Sequence, residues 1–182
     1  MQSAPAEGRR RFLALAAGAL VSTLAAPAIA APHPPARRAI ALGHLHTGEK
    51  VDLVYWADGH YQPAALKRIA WLLRDYRTDK IHPIDPRLVD LLAALRQRLR
   101  VSTPLLVVCG YRSPESNALL ASMSEGVATN SFHMAGAAID LRVEGRALSA
   151  VRLAALSLRG GGVGYYPRSN FVHVDVGPVR HW

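Results

Sequence analysis

The sequence predicts an α+β fold, a single domain in which an antiparallel sheet is flanked by helices. Three observations predict it: helical periodicity comes mostly early in the chain, strand-like alternation joined by tight turns closes it, and no internal repeat or low-complexity block intervenes. With 182 residues, 50% of them apolar and 19% charged, the chain is too hydrophobic for disorder and long enough to bury one sizeable core.

The elements follow in order. Ile40–His46 and Val51–Trp56 are short strand-like runs around Thr47-Gly48-Glu49-Lys50, which predicts a hairpin. Leu66, Ile69, Leu73 and Tyr76 recur at helical spacing. Leu88, Leu91, Leu92, Leu95 and Leu99 do the same behind Asp85 as N-cap and Pro86 at the first helical position. Pro104–Cys109 reads as a buried strand, and Ser113-Pro114-Glu115 opens a helix that Gly126 ends. Ile139, Leu141 and Val143 then alternate with Asp140, Arg142 and Glu144 as a strand. Leu148–Leu158 is helical and stops at Gly160-Gly161-Gly162, which is no phosphate loop because no strand leads in and no Lys-Ser/Thr follows. Val163–Tyr166 and Phe171–Val176 close the sheet through the turn Pro167-Arg168-Ser169-Asn170.

The first thirty residues read as an export signal. Arg9, Arg10 and Arg11 precede an apolar run from Phe12 to Ile29, and Ala28-Ile29-Ala30 offers a small-x-small cleavage site before Ala31. A single-pass anchor is the alternative, and the alanine-rich, weakly hydrophobic run favours cleavage. Arg9-Arg10-x-Phe12-Leu13 resembles a twin-arginine signal, with Gly8 where Ser or Thr is usual, a route that exports folded proteins. The expected organisation is a signal over 1–30, a Pro- and Arg-bearing linker over 31–39 and a folded domain over 40–182, resident in the periplasm.

Charge and cysteine usage exclude further classes. The single cysteine, Cys109, rules out an intramolecular disulfide framework, and its apolar surroundings read as a buried small residue rather than a nucleophile. The formal charge is +9, of which +7 remains without the first thirty residues. The arginines (Arg74, Arg77, Arg87, Arg96, Arg98, Arg100) are scattered along helices without a nucleic-acid motif, so no nucleic-acid partner is expected. A solvated face is the default reading, and electrostatic contact with anionic envelope polymers or headgroups the other.

The chemistry concentrates in Ser131-Phe132-His133-Met134-Ala135-Gly136-Ala137-Ala138-Ile139-Asp140 and in Phe171–Val176. If Ile139, Leu141 and Val143 face the core, Asp140 points away from it; Val172, Val174 and Val176 likewise turn His173 and Asp175 outward. His133 leads into the first of these strands, and Gly136 lets its loop fold back toward them. Two histidines and a carboxylate suit a catalytic zinc site on the sheet's non-core face, with one coordination position open. Spacing alone equally admits ordinary polar residues on a solvated sheet. His44 and His46 invite a second metal site, against the plainer reading of two exposed hairpin histidines.

Ser131-x-His133-x-x-Gly136-x-Ala138-x-Asp140 with a later strand-borne His173 resembles the zinc D-Ala-D-Ala metallopeptidases, which include VanX-type dipeptidases and phage L-alanyl-D-glutamate endolysins. Gly110-Tyr111-Arg112-Ser113, Gly162–Pro167 and Phe171–Asp175 narrow the resemblance to the MepK-type murein endopeptidases, which cut peptide cross-links in peptidoglycan. It extends over the mature chain, from His44-x-His46-Thr47-Gly48-Glu49 to Arg180-His181-Trp182. The resemblance implies His133, Asp140 and His173 as zinc ligands and Arg112 as the cation that steadies the carbonyl oxygen as it becomes an oxyanion. The plainer roles are a helix-capping or surface-paired arginine for Arg112 and a turn cap for Ser131.

One departure from the family pattern concerns the general base. Many relatives carry an acid three residues before the last ligand or a histidine two before it, where this chain has Asn170 and Phe171. Asp175 is the nearest acidic candidate, its other role being to accept a hydrogen bond from a ligand imidazole. Glu115, Glu125, Glu144 and His181 are more distant candidates. The implied function is a zinc-dependent murein endopeptidase acting on peptidoglycan peptide stems. A D,D-carboxypeptidase trimming terminal D-Ala and a non-catalytic peptidoglycan-binding module are its rivals, and the sequence leaves cross-link type and oligomeric state open.

Overall fold

β1 (Arg37–His44) and β2 (Lys50–Ala57) form the expected hairpin, with His46 in the turn rather than on a strand. The computed structural model describes residues 37–123, 128 and 130–182. The export signal over 1–30, Gly126 and Glu125 lie outside the described residues. β1 begins inside the stretch read as a linker, at Arg37. A two-residue strand, β3 (His60–Tyr61), adds to the free side of β2.

α1 (Pro63–Leu72) starts with proline at its first turn, where a missing amide hydrogen costs nothing. Ile69 and Leu73 are fully buried, as the spacing predicts. Tyr76 departs from that expectation: the chain leaves the helix at Leu73, and Tyr76 sits in a turn. α2 (Pro86–Leu99) is capped by the Asp85 carboxylate, which accepts from the Arg87 amide at 2.9 Å. Its far end stops in the left-handed residue Arg100. β4 (Leu105–Cys109), α3 (Pro114–Met123), a 3-10 turn over Phe132–Ala135, β5 (Ala138–Val143) and α4 (Leu148–Leu158) follow. β6 (Gly162–Tyr166), β7 (Phe171–Asp175) and the short β8 (Arg180–His181) finish the chain.

Among the described residues eight strands make one sheet in the order β3-β2-β1-β4-β5-β7-β6-β8. Five of its seven pairings are antiparallel, and β1–β4 and β6–β8 are parallel, so the sheet is mixed. The parallel β1–β4 pair needs a crossover, which α1 and α2 provide. Leu42, Leu105, Val107, Ile139, Leu141, Val172 and Val174 bury against Leu88, Leu92, Leu95 and Val151 of α2 and α4, together with Ile69 of α1. Each such side chain contributes roughly 1.5–3 kcal/mol relative to exposure.

Two details of register build the opposite face. Asp140 on β5 lies directly across from His173 on β7, so both side chains project from the same side of the sheet. On the other flank of β5, Val107 pairs with Leu141 but Cys109 pairs with Asp140, leaving Val108 as the extra residue of a β-bulge. Regular alternation would have put Cys109 on the core side with Leu105 and Val107; the bulge turns it toward Asp140.

Candidate metal centre

His133 is held by three backbone contacts. The Ser131 hydroxyl accepts from the His133 amide at 3.3 Å, so this serine caps the turn. The Arg112 amide donates to the His133 carbonyl at 3.2 Å. The imidazole Nδ1 meets the Gly110 carbonyl at 2.7 Å. Gly136 ends the turn at φ 63°, and a Cβ there would run into the Pro83 carbonyl, so the loop closes only with glycine.

His173 and Asp140 complete a tight triangle with His133. His133 Nε2 is 3.1 Å from His173 Nδ1, and Asp140 Oδ1 lies 2.9 Å from His173 Nδ1 and 3.3 Å from His133 Nε2. All three residues are buried. A carbonyl only accepts, so His133 carries its proton on Nδ1 and leaves Nε2 bare toward the triangle. His173 has a carboxylate at each ring nitrogen, Asp140 Oδ1 at Nδ1 and Asp175 Oδ2 at Nε2, the latter 3.0 Å away. With a cation on Asp140 the His173 proton goes to Nε2 and Asp175, and two imidazole lone pairs and a carboxylate then converge with no hydrogen between them.

That arrangement calls for a cation. Burial by itself would push the His133 pKa down, yet the facing Asp140 carboxylate and the Cys109 thiol together outweigh it and lift it to about 10. Burial likewise opposes ionisation of Asp140, and the two histidines hold it well below the usual carboxylate range. A metal ion satisfies the same demand without a proton. Ligands about 2.0–2.1 Å from a tetrahedral zinc lie roughly 3.3 Å apart, close to the edges of this triangle. The donor set of two imidazoles and a carboxylate fits zinc.

Cys109 is buried, as its apolar surroundings predict, and it also belongs to the same neighbourhood. Its thiol, with His133 and Asp140, offers three ligand atoms within 4.8 Å of one another. Burial raises the thiol pKa, but His133 and Arg112 outweigh that effect and lower it. Its Sγ lies 3.8 Å from Arg112 Nη2, so it sits on the arginine side of the triangle. The shorter triangle through His173 is the better-formed donor set. A signal for Cys109 existed in its position immediately before Gly110-Tyr111-Arg112.

Asp175 is fully buried behind His173. Besides His173, it accepts from the amides of Gly162 (3.1 Å) and Gly177 (2.8 Å) and from two nitrogens of Arg180 (3.1 and 2.8 Å). Burial opposes its ionisation, and the His173, Arg180 and amide contacts overcome it, holding the carboxyl far below its ordinary range. Gly162 and Gly177 are required here, since a Cβ on Gly162 would meet Asp175 and Arg180 and one on Gly177 would meet Phe132. The pairing with Arg180 was not readable in advance, because a spacing of five residues matches no strand or helix face.

Arg112 lies at the floor of the cleft over this centre. Nη1 donates to Asn117 Oδ1 at 3.3 Å, Nη2 is 3.7 Å from Asp140 Oδ2, and the buried Nε has no partner among the described residues. The cleft encloses about 690 Å³, and Asp140 is the one carboxylate among its described lining residues. Glu115 pairs with Lys80 at the surface, Glu144 and His181 are exposed, and Asn170 occupies a left-handed turn position. Phe171 stacks on Tyr166 with ring centres 4.6 Å apart. Trp182 leans over His173 at 5.3 Å and donates from its indole to the Tyr166 hydroxyl at 2.7 Å. The paired histidines of the hairpin divide: His44 is buried and His46 is exposed at the cleft. Two amides donate to His44 Nδ1, at 3.2 and 3.4 Å, so His44 braces the turn.

Comparison with known proteins adds an independent line. A family model described as peptidoglycan L,D-endopeptidase MepK matches residues 33–182. The peptidoglycan L,D-endopeptidase MepK of Escherichia coli strain K12 is 46% identical over 175 residues, covering 96% of this chain and 96% of that protein. The protein of the same name from Shigella flexneri matches to the same extent, 46% over 175 residues and 96% of each chain. A probable peptidoglycan L,D-endopeptidase MepK of Haemophilus influenzae is 40% identical over 178 residues, covering 97% of this chain and 96% of that one.

Proposed function

The chain belongs to the family of MepK peptidoglycan L,D-endopeptidases, and from that membership we propose that it is a zinc-dependent murein endopeptidase. Its reaction is hydrolysis of peptide cross-links at amide bonds next to D-amino acids or diaminopimelate. The observation that carries the reading is the convergence of His133 Nε2, His173 Nδ1 and Asp140 Oδ1 within 3.3 Å, with each imidazole held by a partner behind it. These three residues would hold the zinc. The chemistry such an ion supplies is Lewis acidity toward a carbonyl and toward water.

The remaining roles fall to the protein. The Gly110 carbonyl and Asp175 keep the two imidazoles in the tautomers that leave their inward nitrogens free. Arg112, half-committed to Asn117 and Asp140, donates to the scissile carbonyl oxygen as negative charge builds there. Asp175 is a positioning residue, since five donors enclose its carboxylate away from the cleft. The chain acts in the periplasm, carried there by its twin-arginine-type signal over 1–30, with 31–39 as linker and 40–182 as the peptidase domain.

Digestion of purified peptidoglycan, with muropeptides resolved by mass, tests the reading. Expected is conversion of cross-linked dimers to monomers by zinc-loaded protein and its loss on adding a chelator. Release of D-Ala alone would point to the carboxypeptidase, and intact sacculus binding without cleavage to a binding module.

A further inference from the structure

We propose that Arg77, mounted on the ring of Tyr76 at the rim of the cleft, anchors a free carboxylate of the substrate peptide. The inference deepens the peptidoglycan reading and rests on it.

Among the described residues three arginines line the cleft: Arg77, Arg112 and Arg180. Arg180 is spent on two hydrogen bonds to Asp175, and Arg112 faces Asn117 and Asp140. The Arg77 guanidinium has no hydrogen bond or ion pair among the described residues. Its Cζ lies 4.2 Å from the centre of the Tyr76 ring, and that ring stacks on His46 at 4.0 Å with 10° between the planes. A stacked guanidinium keeps its planar fork of donors free at the edge, the geometry that a carboxylate matches with two parallel bonds.

The segment that carries Arg77 is rigidly tied to the segment that carries Arg112. Asp75 receives the Ser113 amide on one oxygen at 2.9 Å and the Arg77 amide on the other at 3.0 Å. The Tyr111 amide donates to the Leu73 carbonyl at 2.7 Å, closing the same junction. One buried carboxylate therefore sets the spacing between the arginine at the scissile bond and the arginine at the rim. A peptide lying along the cleft with its scissile carbonyl at Arg112 offers its neighbouring carboxylate to Arg77. Stem peptides bear such groups both along the chain and at the free end, and either presents the same chemistry.

The experiment uses zinc-loaded full-length protein and three versions of one cross-linked muropeptide: unmodified, amidated on its internal carboxylates, and amidated at its terminal carboxyl. Equilibrium binding of the same compounds to metal-stripped protein runs in parallel. Arg77→Gln is expected to raise KM and weaken binding of the unmodified compound about 10- to 100-fold with kcat nearly unchanged. Arg77→Lys should restore part of the loss. Amidating the carboxylate that Arg77 holds should impose the same loss on the wild type and leave Arg77→Gln indifferent, which also tells the internal source from the terminal one. Wild-type cleavage with equal KM and binding in Arg77→Gln would overturn the inference while leaving the peptidase reading intact. Absence of both cleavage and binding by the wild type would overturn the two together.

Discussion

His173 stands where a strand, a buried acid and an arginine meet, and its neighbours make a prediction about metal affinity. Asp140 and Cys109 both lie beside His133, but His173 is the residue whose outer nitrogen is anchored, through Asp175, to Arg180. His173→Ala should therefore abolish tight zinc binding, and Asp175→Asn should weaken it about 10- to 100-fold. Cys109→Ser should leave it within a few-fold of the wild type. Competition with a chromogenic chelator measures all three. Zinc affinity that survives His173→Ala and falls with Cys109→Ser would move the centre to the alternative donor set of Cys109, His133 and Asp140.

At the scale of elements, the sequence was legible wherever periodicity alone decides the outcome. α2 and α4 lie where their apolar spacing and end signals predict, and β5, β6 and β7 within a residue or so. The cross-strand meeting of Asp140 and His173 follows from alternation plus pairing. What could not be read depends on register and loop geometry: the bulge at Val108 that redirects Cys109, the early end of α1 that releases Tyr76, and the parallel seams made by crossovers. The β1–β2 turn yields a prediction of its own. Burial, with smaller contributions from His46 and Arg74, pushes the His44 pKa down to about 4. The unfolded chain thus takes up a proton near pH 6.5 that the folded chain refuses until about pH 4. Stability is lost as pH falls through that window, by at most about 1.4 kcal/mol per pH unit from this residue. Thermal unfolding from pH 7 to 4.5 should show a shallower decline for His44→Gln than for the wild type; identical slopes would show that His44 does not set this dependence.

For the whole molecule, the net positive charge bears on encounter with an anionic polymer. Attraction spread over a surface is screened by salt, whereas a carboxylate seated in a cleft is screened less. Binding to sacculi should weaken several-fold between 50 and 500 mM salt in a pelleting assay, and an affinity indifferent to salt would return the arginines to a merely solvated face. The strand order carries a further consequence, one of timing. β5, α4 and β6 form a split β-α-β unit, and β7 enters afterwards between its two strands. A growing chain holds both flanking strands before it holds the strand that separates them, and Arg180 follows later still. His133 and Asp140 are thus made well before their partner arrives, and closing the middle of the sheet is the same event as completing the centre.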